Sequence, residues 1–249
     1  MQMSKLKAVL MKMALGLVVI VPQFGAAGMT GGYDTRGGLV PLALPGSALA
    51  EARAAVKVDW SPVPAYSSEA IRAGFAFARD THYLPQSSGP LRRIPFLYPD
   101  DGCLTRAALT NELLNQKSIT TVRLFLFGKL HLQSANALTP DIGFWFHTAP
   151  AVKNESGEIL VFDISLDPNG PMPLNEWIMR LQPEKSEYRI SVCHPDTHEP
   201  TDSCGAGRSN VLEAAHIEVQ GLLTQEWNRL LKLNRDPIRW LGLRDSSVD

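Results

Sequence analysis

The chain has 249 residues, of which 45% are hydrophobic and 20% are charged, so it is long enough for one sizeable core and has the composition of an ordinary globular protein. Its formal net charge is -1. A nucleic-acid-binding protein usually carries a basic excess, so composition and charge argue against nucleic acid as a partner.

The first 27 residues have the pattern of an export signal. Three lysines precede the apolar run MALGLVVIV, which is too short to span a bilayer as a helix, and small residues suited to cleavage follow near Ala27. A membrane anchor or a buried helix are the alternatives. We expect removal of residues 1–27, a secreted or periplasmic protein, and no stable membrane insertion after cleavage. The mature net charge becomes -4, because three lysines and no acids leave a chain of net charge -1.

Helical patterns come first in the remaining chain. Residues 28–60 are rich in Gly, Ala and Pro and have no clear period, which is typical of a loose extension or a short pro-segment. The segment 67–80 places Ile71, Phe75 and Ala78 on one face and has a serine available as cap, so it predicts a helix. A second helix is predicted after Cys103.

Strand patterns follow the helices. The spacing predicts strands over 120–132, 143–152 and 158–166, and a weaker one over 186–193. The connection between the second and third predicted strands has the length of a hairpin turn. One or two helices are predicted over 210–233. Helices, then strands, then helix indicate an α+β fold with an antiparallel sheet.

The chain has three cysteines, and the expected export bears on whether they form disulfides. An oxidising compartment favours disulfides, and an odd count leaves one thiol. Cys193 and Cys204 are close in sequence, so Cys103 is the expected free thiol. Because His194 and His198 lie between the pair, a metal site of those four residues is the alternative, although the spacing matches no common zinc pattern. We expect the disulfide, with no metal and no cofactor.

Cys103 also has the setting of a nucleophile. It follows a Pro-Asp-Asp-Gly turn and opens a helical pattern, where unpaired N–H groups and the helix dipole favour a thiolate. Such a thiol needs a base and a group that orients the base. His147 in the second strand pattern is the candidate base, and Asp163 in the third is the candidate orienting acid, because adjacent antiparallel strands can place them side by side. This arrangement resembles that of papain-like and transglutaminase-like enzymes.

Each of the three residues has an ordinary structural alternative. A cysteine at a helix start is often a small buried hydrophobe. His147 lies among aromatic residues and is also consistent with a core histidine. Strand alternation can simply point Asp163 at solvent. The residues alone leave these alternatives open.

Three motifs between Ile94 and Trp177 resemble the protein glutaminase family. They are IPFLYPDDGCLTRAALTNELL, GFWFHTAPAV and VFDISLDPNGPMPLNEW, and they occur in the order found in that family. The resemblance implies a papain/transglutaminase-like core with N-terminal helices packed on an antiparallel sheet. It also implies a catalytic domain that we assign to residues 61–249.

The same resemblance implies the reaction. Cys103 would be the nucleophile, His147 the general base and acid, and Asp163 the orienting residue of an enzyme that deamidates glutamine side chains in proteins or peptides. The family usually has an aromatic residue where this chain has Leu104 and often a histidine where it has Ala108, which bears on substrate preference. A transglutaminase or a cysteine peptidase with the same triad, and an inactive binding domain of the same fold, are the alternatives. The sequence does not set the oligomeric state.

Overall fold

A computed structural model describes residues 58–87, 89–139, 141–183, 188–200, 204 and 210–243. The expected export signal and nearly all of the extension over 28–60 lie outside these ranges.

The described part of the chain contains five helices and five strands. The helices are α1 (Ser68–Asp80), α2 (Cys103–Asn115), α3 (Leu174–Arg180), α4 (Val211–Lys232) and α5 (Pro237–Trp240). The strands are β1 (Val122–Gln133), β2 (Asp141–Lys153), β3 (Ile159–Val161), β4 (Met172–Pro173) and β5 (Arg189–Cys193).

The strands form one sheet in the order β4-β3-β2-β1-β5. Every pairing in it is antiparallel. The long strands β1 and β2 lie at its centre, and their register sets Leu126 opposite His147. The α+β fold with an antiparallel sheet, expected from the order of the sequence patterns, is confirmed.

Two hydrophobic clusters hold the helices and the sheet together. The first contains Ile71, Phe75 and Ala78 of α1, as their helical spacing predicts, together with buried residues of α2 and α4. Helix α1 starts where the Ser67 hydroxyl accepts the amide N–H of Ala70 at 3.2 Å. The second contains alternate residues of β1 with the apolar side chains of α3. The second half of β2, from His147 onward, carries buried residues of both clusters and holds part of the site described below.

The third predicted strand is shorter than its sequence pattern. The pattern indicated 158–166, whereas β3 is Ile159–Val161. The chain turns directly afterwards, because the carbonyl of Asp163 accepts the amides of Leu166 and Asp167, each at 3.0 Å. The prediction of a strand beyond residue 161 is therefore wrong, and Asp163 lies in a hydrogen-bonded turn.

Among the described residues, no helix combines the length and the apolar character that crossing a bilayer requires.

Candidate active site

Cys103 is the first residue of α2 and is half-buried. Gly102 before it has φ 80° and ψ 17°, a left-handed conformation that favours glycine. A Cβ on Gly102 would also lie 2.4 Å from a methyl of Leu222 in α4. No side chain caps this helix start. Since the first amide groups of a helix have no partner within the helix, those beside the thiol remain available as donors.

Hydrogen bonds from two helices, α2 and α4, hold the segment before Cys103 in place. Arg106, one helical turn further on, donates to the carbonyl of Tyr98 at 2.9 Å and to that of Asp101 at 2.6 Å. From α4, the fully buried Glu226 accepts the amide of Leu97 at 2.8 Å. These contacts tie the position of the thiol to helices that lie far apart in sequence.

His147 is buried near the middle of β2, with 3% of its surface exposed. Its Nε2 is 2.7 Å from Oδ2 of Asp163. Its Nδ1 is also buried and has no hydrogen-bond partner among the described residues. The ring is therefore oriented by Asp163 through one nitrogen, which leaves the other nitrogen available to a thiol or a substrate.

Asp163 is itself held by a second donor. The indole Nε1 of Trp177 in α3 donates to the same oxygen, Oδ2, at 2.8 Å. Asp163 is 6% exposed and Trp177 is fully buried, so water contributes little to this contact. A buried carboxylate that accepts two hydrogen bonds on one oxygen keeps a fixed orientation.

The electrostatics favour a charged pair. Burial alone would lower the pKa of His147, but the charge and the hydrogen bond of Asp163, together with the nearby Cys103 thiol, raise this pKa to about 9. Burial would raise the pKa of Asp163, but the charge of His147 and the hydrogen bonds from His147 and Trp177 hold it below its usual value. At neutral pH the pair is therefore an imidazolium and a carboxylate. The thiol of Cys103 lies close enough to contribute to the raised pKa of the ring.

The three predicted residues share one small cavity. Cys103, His147 and Asp163 line it together with Arg106 and Thr148, and its volume is about 10 Å³, which is roughly the space of one water molecule. A larger cavity of about 510 Å³ lies along the irregular part of the β1–β2 pairing and contains none of the three. We regard the smaller cavity as the candidate site, because it contains the coupled thiol, imidazole and carboxylate. The aromatic ring of Phe144, which lines the larger cavity, lies 5.9 Å from the His147 ring.

The remaining cysteines form the expected disulfide, Cys193–Cys204. The alternative prediction, a metal site of two cysteines and two histidines, is therefore wrong, because disulfide-bonded cysteines offer no thiolates. The disulfide packs beside Leu104, the residue that follows the candidate nucleophile.

The sequence patterns gave no role to Trp177 or to Arg123. Trp177 was part of a motif, but its bond to Asp163 depends on where α3 packs. Arg123, in β1, is 1% exposed and donates to the carbonyl of Leu104 at 3.3 Å. One signal for Arg123 was present: it is the sole charged residue in the apolar run VRLFLF.

Comparisons with known proteins agree with the motifs. Residues 71–181 match the model of a family described as glutaminase. No curated protein matches the chain.

Solved structures of protein-glutaminases resemble the fold. A crystal structure of a mutant pro-protein-glutaminase is 21% identical, with a TM-score of 0.50, over 78% of this chain and 66% of that one. A crystal structure of a protein-glutaminase is 22% identical, with a TM-score of 0.49, over 65% of this chain and 87% of that one. The NMR structure of protein-glutaminase from Chryseobacterium proteolyticum is 21% identical, with a TM-score of 0.47, over 61% of this chain and 84% of that one. At these identities the likeness concerns the fold.

The matched segment begins in α1 and ends just after α3, so it contains Cys103, His147, Asp163 and Trp177. Within this segment the chain is similar to the glutaminase family.

Proposed function

We propose that this chain hydrolyses the side-chain amide of glutamine in proteins or peptides, giving glutamate and ammonia through a thioester on Cys103. The observation that carries the proposal is the buried pair of His147 and Asp163 at 2.7 Å, with a free imidazole nitrogen in the same cavity as a helix-start thiol. The match of residues 71–181 to the glutaminase family supports the choice of a glutamine amide.

In the first half of the reaction the thiolate of Cys103 attacks the amide carbon, and a carbon–sulfur bond forms. The uncapped amide donors at the start of α2 would stabilise the oxyanion. His147, which is protonated at neutral pH, gives its proton to the departing nitrogen, so the carbon–nitrogen bond breaks and ammonia leaves.

In the second half, the now neutral His147 takes a proton from water. The hydroxide adds to the thioester, the carbon–sulfur bond breaks, and glutamate and the thiolate are released. Asp163 keeps the imidazole oriented and stabilises its charged form in both halves. No cofactor enters these steps.

The proposal includes an exported catalytic domain. We assign residues 1–27 to a cleaved signal and residues 61–249 to the catalytic domain. The disulfide supports an oxidising compartment, since such bonds persist outside the reducing cytosol.

Ammonia release from a glutamine-rich protein, and in parallel from free glutamine, tests the reaction. The wild-type chain should release ammonia from the protein, and Cys103→Ala should lose several orders of magnitude in rate while keeping its circular dichroism spectrum. Equal release by the two would overturn the assignment. Cross-linked products would instead indicate a transglutaminase, and new N-termini a peptidase.

A further inference from the structure

Arg123 is a buried cation with few partners. It lies in β1, opposite Pro150 of β2 and Cys193 of β5, and is 1% exposed. One guanidinium nitrogen donates to the carbonyl of Leu104 at 3.3 Å. The other terminal nitrogen, Nη2, is buried and has no hydrogen-bond partner among the described residues. Burial of an unpaired charged donor is costly, so an anion is expected close by.

Another buried arginine, Arg92, does have a carboxylate partner. Arg92 is 4% exposed, and its guanidinium is 2.7 Å from a carboxylate oxygen of Glu226. No described carboxylate makes such a contact with Arg123. Burial lowers the pKa of Arg123 to about 10, while attraction to Cys103 and to Asp196 opposes that effect, so the guanidinium stays charged at neutral pH.

Of these two groups, Cys103 is the less exposed. The side chain of Asp196 is 59% exposed, so water screens its charge. Cys103 opens the helical turn whose Leu104 carbonyl binds Arg123, and Pro150, opposite Arg123, lines the same cavity as Cys103. The unpaired donor thus lies beside the first turn of α2.

We propose that Arg123 is a positioning residue of the candidate site, which stabilises the thiolate of Cys103 and holds the first turn of α2 against β1 through the Leu104 carbonyl. The inference rests on the nucleophilic role proposed for Cys103. Unlike His147, a guanidinium does not give up its proton during turnover, so its charge acts on the thiolate at every stage.

Other charged groups lie around this site, and they stay constant in the test. They are His147 from β2, Asp163 beyond β3, Arg106 within α2, Asp101 in the preceding turn, and Asp196, which faces Arg123 from beyond β5.

The test is the rate of alkylation of Cys103 by iodoacetamide between pH 5 and 10 in the folded protein. With the disulfide intact, Cys103 is the one free thiol of the three cysteines. Arg123→Met keeps the apolar stem and removes the charge. Its midpoint of alkylation should move upward by about one pH unit or more, with about tenfold slower alkylation at neutral pH.

Arg93→Met is the matched control. Arg93 is also buried, at 5% exposure, and also donates to a single backbone carbonyl, that of Trp240, at 3.2 Å. Its charged neighbours do not include Cys103. It should lower thermal stability without moving the alkylation midpoint. An unchanged midpoint in Arg123→Met, or an equal shift in Arg93→Met, overturns the proposal.

Arg123→Gln decides the question if the methionine variant does not fold. A glutamine removes the charge and keeps a side-chain amide that can donate to the Leu104 carbonyl, so the midpoint should rise as in the methionine variant. A midpoint equal to that of the wild type overturns the proposal. Alkylation needs no glutamine substrate, so a wild-type chain that releases no ammonia would refute the proposed function without bearing on this result.

Discussion

Asp163→Asn isolates the charge of the carboxylate from its hydrogen bonds. Nε2 of His147 and Nε1 of Trp177 both meet the single oxygen Oδ2, at 2.7 and 2.8 Å. An asparagine whose amide oxygen takes that place can accept from both donors. The variant therefore removes a negative charge and keeps the geometry.

The expected effect is a large fall in the pKa of His147. Burial by itself lowers this pKa, and the charge of Asp163 is the largest effect that opposes burial. Without that charge the value should fall from about 9 to below the ordinary 6.5. A fall in the His147 pKa from about 9 to 6.5 corresponds to a loss of about 3 kcal/mol of stabilisation of the imidazolium, at about 1.4 kcal/mol for each pKa unit. At pH 7.5 the protonated fraction of His147 would fall from nearly all to about a tenth or less.

The same shift sets how stability depends on pH. Because the folded pKa of His147 lies above its unfolded value, the stabilisation is fully present below pH 6.5 and is lost as pH rises through about 9. The folded pKa of Asp163 is lowered, so its contribution is present above its unfolded value of 3.8 and is lost as pH falls through the folded value. In Asp163→Asn the decline between pH 6.5 and 9 should disappear.

Two measurements check this prediction without requiring activity. Nuclear magnetic resonance of ¹⁵N-histidine-labelled protein gives the titration midpoint of the His147 ring, and urea unfolding at several pH values gives the free energy. Trp177→Phe is the control, because it removes one hydrogen bond to Asp163 and keeps the charge, so its His147 midpoint should stay well above 6.5. A midpoint near 9 in Asp163→Asn would refute the reasoning that the carboxylate charge holds the imidazolium.

Three further predictions concern the elements that support the site. In urea titrations, Gly102→Ala should lower the free energy of unfolding by more than Gly157→Ala does. Both glycines have a positive φ, of 80° and 83°, so both substitutions carry a backbone cost of about 1–2 kcal/mol, but only at Gly102 would the new methyl group meet a side chain. Equal losses would contradict the clash with Leu222. Glu226→Ala leaves Arg92 buried without its carboxylate and should cost about 3–5 kcal/mol in the same assay, whereas Glu176→Ala, which breaks the partly exposed pair with Arg180, should cost less than about 1 kcal/mol. Replacing Cys193 and Cys204 by alanine opens a loop with a sequence separation of 11 and should cost about 3 kcal/mol in the chain-entropy model; a melting temperature equal to that of the oxidised wild type would show that the bond does not stabilise the fold.

Local patterns determined much of this protein. The spacing of Ile71, Phe75 and Ala78 predicts α1 and its buried face, because that face depends only on the helical period. The boundary of α2 at Cys103 follows from the glycine turn before it. The motifs around Cys103, His147 and Asp163 predicted the similarity to glutaminases and the three residues that share the candidate site.

Tertiary packing decided what local patterns could not. The end of β3 depends on a turn whose amides bind the Asp163 carbonyl, so the strand pattern over 158–166 predicted too long a strand. The bond from Trp177 to Asp163 exists because α3 packs against the sheet. The neighbourhood of Arg123 depends on how α2 packs against the sheet, because strand periodicity gives the face of a side chain but not what covers that face. The sequence thus determined most of the elements and the three candidate residues, whereas long-range packing determined which charges surround them.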